Sequence, residues 1–122
     1  MVHNMLKTLR QANNYASSLA RLQRHGEAKS LLRKVLPVTR RVLGENDSLT
    51  LRARWIYATA LCDDTGATLD DLREAVTTLE SVATSWKRVF GETHPETQGV
   101  QTMLGIAREK LARALASSGA AS

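Results

Sequence analysis

Arg10, Asn13, Asn14, Ser17 and Arg21 recur at i, i+3, i+4, i+7 and i+11, which on a helix makes a single polar stripe. Guanidinium forks and side-chain amides in such a row suit the capture of carboxylates or of an extended peptide backbone. The solvated face of an amphipathic helix has the same composition, so spacing alone does not separate the two. Arg52, Trp55, Ile56 and Thr59 repeat the first four of those spacings. A tryptophan there is either an exposed anchor for a partner or, more commonly, part of a core.

Other chemistries find little support. No nucleophile–base pair, phosphate-cradling Gly loop or matched carboxylate pair stands out, and catalysis is not expected. Asp63, Asp64, Asp70, Asp71 and Glu74 gather around Gly66 without the alternating spacing of a calcium loop. Asp70 and Asp71 are expected to serve a helix N-terminus, with the others solvated. His3, His25 and Cys62 share no metal-ligand spacing, and His94 reads as part of a helix-capping turn. Neither cofactor nor metal is expected.

Composition favours an all-helical domain: aromatics are 4%, Gly 7 and Pro 2 among 122 residues. No apolar run approaches the ~20 residues that cross a bilayer. The lone Cys62 gives no sign of an oxidising compartment, and a cytoplasmic setting is expected. The net charge of +5 is unevenly spread. Residues 1–44 hold nine basic side chains against Glu27 alone, giving +8, while 45–97 hold five basic and ten acidic, giving −5. The N-terminal part should attract anions.

Five helices must position these residues. The first, about 3–24, has Met5, Leu9, Ala12, Ala16 and Leu19 at helical spacing, widened by Leu6, Tyr15 and Leu22. Its Arg- and Ser-rich, acid-poor composition also suits a transit peptide, but repeat structure accounts for the same residues. His25-Gly26 is expected to break the chain before a second helix, about 27–43, kinked or briefly broken near Arg33–Pro37. A third runs from about Ser48, a fourth is capped by Thr68 with Asp71 three residues on, and a fifth spans about 95–116. Residues 117–122 are expected to be a flexible tail behind a single domain of 1–116.

Two stretches punctuate this order: Leu43-Gly44-Glu45-Asn46-Asp47-Ser48-Leu49-Thr50 and Phe90-Gly91-Glu92-Thr93-His94-Pro95-Glu96-Thr97. Each supplies a glycine for positive φ, then a cap and a first helical residue. The chain resembles the tetratricopeptide repeats of the kinesin light chain type, whose repeats close with Leu-Gly-x-x-His-Pro-x-Thr. Asn13-Asn14-Tyr15-Ala16 with Glu27-Ala28, and Trp55-Ile56-Tyr57-Ala58 with Glu74-Ala75, carry the likeness further. A five-residue insertion in the Asp64–Leu69 region stretches the second unit.

The resemblance implies an all-α, short antiparallel helix-hairpin solenoid of about two and a half repeats, its last helix a C-terminal cap. It places Arg10, Asn13, Asn14, Ser17, Arg21, Arg52, Trp55 and Thr59 on the concave, peptide-binding face, and takes Trp86 into the core. It implies a non-catalytic scaffold for a protein or peptide partner, and the basic N-terminal half favours an acidic one. Two other readings remain. Nucleic acid is the first, held by Arg24, Lys29, Arg33, Lys34, Arg40 and Arg41, although aromatics for base stacking are few. Self-association into a homodimer through Met5, Leu6 and Leu9 is the second. No membrane partner is expected.

Overall fold

The computed structural model describes residues 2–120 and is built from helices joined by short turns. In order these are α1 (Val2–Arg21), α2 (His25–Leu43), α3 (Ser48–Asp63), α4 (Leu69–Phe90) and α5 (Pro95–Ala120). Helices α1 and α2 form one antiparallel hairpin and α3 and α4 a second. Helix α3 lies against both helices of the first hairpin, and α5 against both helices of the second. This is the all-α, tetratricopeptide-like stack of helix pairs that the repeated junction implies.

The two junctions are built alike. Gly44 (φ 91°, ψ 164°) and Gly91 (φ 90°, ψ 161°) share a backbone conformation open to glycine almost alone. Their N–H groups donate to Arg40 O and Lys87 O, each at 2.9 Å. Arg40 pairs with Glu45 and Lys87 with Glu92, both at 3.0 Å, repeating the contact 47 positions on. Asp47 then caps α3 by accepting from Leu49 N at 2.9 Å, and His94 Nδ1 accepts from Glu96 N at 3.1 Å. Thr68 and Asp71 complete the reciprocal capping box at the start of α4.

Several local expectations change. The first break falls at Leu22–Arg24 and not at His25-Gly26. Gln23 takes the left-handed position at φ 64°, with Gln23 N donating to Ala20 O and Arg24 N to Leu19 O. That is the helix-ending hydrogen-bond pattern that usually recruits glycine. Of the kink or break expected near Pro37, the break does not occur: α2 is continuous from His25 to Leu43, with Leu32, Leu36 and Thr39 on either side of the proline buried. The extra length of the second unit is divided. The α3–α4 turn is two residues longer than the α1–α2 turn, and α4 (22 residues) is three longer than α2 (19). Helix α5 continues past Ala116 to Ala120, and Ala121 and Ser122 of the expected tail lie outside the described residues.

The main core joins α3, α4 and α5 through Leu51, Leu61, Leu79, Val82, Trp86, Val100 and Ala107. Smaller clusters, Ala16 with Leu32, Leu36 and Ala53, and Leu19 with Ala28 and Ala60, seat α3 on the first hairpin. Trp86 is fully buried, as expected. Tyr15 (59% exposed), Leu22 (66%) and Met5 do not join the core, nor do Val89 and Phe90. Leu51, Ala58 and Leu61 of α3 face the core shared with α4. The residues 47 positions later on α5 are Gln98, Gly105 and Arg108, all exposed. At these positions α5 thus lacks the apolar residues with which α3 meets α4, while Ile106 and Leu115 elsewhere on α5 are exposed. No described helix is long and apolar enough to cross a membrane.

Asp63 and Asp64, expected to be solvated, instead lock helices together. Lys29 Nζ reaches Asp64 Oδ2 at 2.7 Å from α2, and Lys110 Nζ reaches Asp63 Oδ1 and Cys62 O from α5, each at 3.2 Å. The Lys29 hydrogen bond, aided by Gly66 N, holds the Asp64 carboxyl below the usual aspartate range.

Two outcomes follow for stability. Gly91→Ala forces a side chain into a glycine-only conformation and is expected to cost about 1–3 kcal/mol in urea unfolding; a loss below about 0.5 kcal/mol contradicts the junction geometry. Because the Asp64 pKa is depressed on folding, its stabilisation is complete above the ordinary aspartate value and disappears as pH falls through the lower folded value. Asp64→Asn is therefore expected to flatten the acid limb of a stability-versus-pH curve.

Candidate groove between the first helices of each hairpin

Helices α1 and α3 run side by side, and a cavity of about 460 Å³ opens between them. From α1 it is lined by Asn13, Asn14, Ser17 and Arg21, and from α3 by Arg52, Trp55, Ile56 and Thr59. A polar stripe on α1 and a mixed polar and aromatic stripe on α3, 42 residues apart in sequence, thus meet across one groove. Arg10 is exposed but lies outside the cavity lining, one turn beyond Asn14 on the same helix.

The eight residues proposed from sequence do not behave alike. Asn13 is 1% exposed, and its Nδ2 donates to Leu49 O at 3.0 Å, tying α1 to the start of α3. Its Oδ1 is buried without a partner among the described residues. Asn13 is therefore a strut and part of the groove floor at once, where an exposed stripe position was expected. Asn14 and Arg21 are open to solvent. The Arg21 guanidinium reaches only Ser18 Oγ, at 3.4 Å, and has no ion-pair partner among the described residues.

Arg52 is committed elsewhere. Its Nη2 contacts both Glu96 carboxylate oxygens, at 2.7 and 2.9 Å, and its Cζ lies 5.8 Å from the Trp86 ring centroid. Trp55 is half-buried and meets Trp86 edge-on, centroids 5.9 Å apart at 77°. Gly99 of α5 makes room for it: a Cβ there would stand 3.2 Å from Trp55 Cη2. Trp55 thus belongs partly to the core and partly to the groove wall. Thr59 Oγ1 is buried and has no partner among the described residues.

Ala20, His25 and Asp63 also line the cavity, and sequence reasoning had not placed them there. His25 is buried; one ring nitrogen, Nε2, lies 3.1 Å from Gln23 Oε1, and the other, Nδ1, has no partner among the described residues. Asp63 follows Arg21 by 42 positions, so the repeat register that placed Thr59 opposite Ser17 also locates it. Nothing comparable signals His25, whose place follows from where the α1–α2 turn happens to fall.

The basic row considered for nucleic acid is not continuous. Arg24 precedes α2 and pairs with Glu27, Lys29 with Asp64 and Arg40 with Glu45, while Arg33 lies against Tyr57. Lys34 and Arg41 project from a different side of the helix, about 100° around from Arg33 and Arg40. Of the apolar residues considered for self-association, Leu9 is buried and Leu6 half-buried, leaving Met5 exposed. Among the described residues no group of three His, Cys, Asp or Glu side chains could hold a metal ion; the side chain of His3 lies outside them.

Residues 8–48, spanning the first hairpin and its closing junction, match the family model of the tetratricopeptide repeat. This supports a tetratricopeptide repeat protein. The second hairpin repeats the same architecture in a longer form. Such repeats generally mediate protein–protein interaction as non-catalytic scaffolds. No curated protein and no solved structure matches the chain.

The two asparagines should separate cleanly. Asn13→Ala removes the α1–α3 bridge to Leu49 O, an oxygen that keeps its place in the α3 ladder, and leaves a buried gap, together expected to cost about 1–2 kcal/mol, whereas Asn14→Ala should stay within about 0.5 kcal/mol. Chemical denaturation of both variants checks this; equal effects contradict the assignment of Asn13 as a strut.

Proposed function

We propose that the groove between α1 and α3 holds a short extended segment of a protein partner, in the manner of repeats of the kinesin light chain type. The observation that carries this reading is Arg21: an exposed guanidinium in the groove lining with no carboxylate of its own. A charged fork so placed favours a carboxylate on the incoming chain. From Asn13 to Arg21 the groove follows eight residues of helix, about 12 Å, which matches roughly four residues of extended peptide.

The remaining lining gives the segment its other contacts. Trp55 and Ile56 form a half-buried apolar wall for one side chain. Asn14 supports this by presenting both an amide donor and a carbonyl acceptor to a passing backbone. Because Arg52 is paired with Glu96 and Asp63 with Lys110, the spare charge of the groove is close to one. The favoured partner segment therefore carries an isolated acidic residue beside an apolar one, and not an acidic run. The buried free thiol of Cys62 suits a cytoplasmic scaffold of this kind.

Fluorescence anisotropy with short labelled peptides of that pattern tests the reading. Arg21→Glu is expected to weaken binding by about tenfold or more, and Arg10→Glu, outside the lining, by less than about threefold. Unchanged affinity in Arg21→Glu overturns the groove assignment.

A further inference from the structure

A second cavity, about 370 Å³, lies on another side of α3. Arg33 and Arg40 reach it from α2, Arg54 and Tyr57 from α3, and Glu74 and Thr78 from α4. At 100° per residue, Arg54 and Tyr57 point away from the side of α3 that carries Arg52, Trp55 and Thr59. The two cavities therefore share no lining residue and stand as independent sites.

Three arginines line this cavity with their hydrogen-bonding capacity only partly used, Arg40 and Arg54 close enough to feel each other's charge. Arg33 Nε donates to the Tyr57 hydroxyl at 3.2 Å, with its Cζ 6.0 Å from the ring centroid. Arg40 Nε stands 3.0 Å from Glu45 Oε1. The Arg54 side chain is 12% exposed, and its Nε is buried with no partner among the described residues. Its ion-pair contact with Glu45 is long, 3.7 Å. Three carboxylates act on these cations: Glu45 pairs with Arg40 and lies near Arg54, while Glu74 and Asp71 both act on Arg33. Glu74 lies near the Tyr57 hydroxyl, at 3.5 Å, and Glu45 is more than half exposed. Burial and the neighbouring Arg40 both press the Arg54 pKa downward, which Glu45 only partly offsets.

We propose that this cavity binds a phosphoryl group carried by a small molecule, held by the guanidinium forks of Arg33, Arg40 and Arg54 with the Thr78 hydroxyl beside them. Planar forks match phosphate oxygens two at a time. An under-neutralised arginine in a partly desolvated recess gains more from an incoming dianion than one in open solvent. The space exceeds one phosphate, so pyrophosphate or a small phosphate ester fits better than the free ion.

Isothermal titration of the full chain with pyrophosphate at low ionic strength tests this, with inorganic phosphate and a single-stranded oligonucleotide as parallel arms. Arg33→Gln/Arg40→Gln is compared with Lys34→Gln/Arg41→Gln, which removes the same charge from another side of α2. One-to-one binding is expected, weakened at least about tenfold by the first pair and less than about threefold by the second. Tighter binding of pyrophosphate than of phosphate supports a small ester as occupant. Pyrophosphate-induced shifts of the Tyr57 and Thr78 amides in the unaltered chain provide a readout that needs no variant. Equal loss in both pairs means general charge attraction only and overturns the site. So does absence of heat and shifts at low salt, or binding of the oligonucleotide without pyrophosphate.

Discussion

The stack depends on a seam of alanines. Ala16 and Ala28 from the first hairpin, and Ala53 and Ala60 from α3, are fully buried where the two hairpins touch. Small side chains at a crossing let helix axes approach at the near end of the usual 8–10 Å range. That approach puts α1 and α3 shoulder to shoulder, and the groove is the furrow left between them. Asn13 bridging to Leu49 O and Lys29 bridging to Asp64 both require the same close fit. A larger residue at Ala53 or Ala60 would part the hairpins and sever these bridges together.

Repetition governs what surrounds the seam. Gly44 and Gly91 turn the chain with nearly the same dihedrals, and a basic residue and a glutamate flank each. Yet the copies have diverged. Thr97 Oγ1 donates to Gly91 O at 2.8 Å, while the hydroxyl of Thr50 at the matching position has no partner among the described residues. Arg21 and Asp63 stand at equivalent places on neighbouring helices, yet Asp63 is paired with Lys110 while Arg21 has no ion-pair partner among the described residues, so equivalent positions carry different charge where a perfect repeat would be uniform. Divergence on a repeated frame is what turns a packing unit into a surface with specific chemistry.

Features decided within a few residues were legible from sequence. The junction glycines, the Asp47, Thr68 and His94 caps and the stripes on α1 and α3 all follow from local backbone constraints and helical spacing. Repeat register carried the argument further, bringing Asn14, Ser17 and Arg21 opposite Trp55, Ile56 and Thr59. Long-range contacts were not legible. Asn13 differs from Asn14 only by facing Leu49 O, and Asp63 and Asp64 find lysines on α5 and α2. The first break was misplaced because Gly26 is the more obvious residue for it, yet Gln23 accepts the left-handed position while its side chain meets His25. The arginine-lined recess needed all three helices in place, since Arg33, Arg54 and Thr78 have no common spacing.

The account rests on the furrow between α1 and α3 being where another chain lies. The most direct measurement is amide chemical-shift mapping on the full chain with a peptide selected for binding from a random library. The account predicts perturbations concentrated at Asn14, Ser17, Arg21, Trp55, Ile56 and Thr59. Perturbations confined to α2, α4 or the outer side of α5, with those six amides unmoved, contradict it.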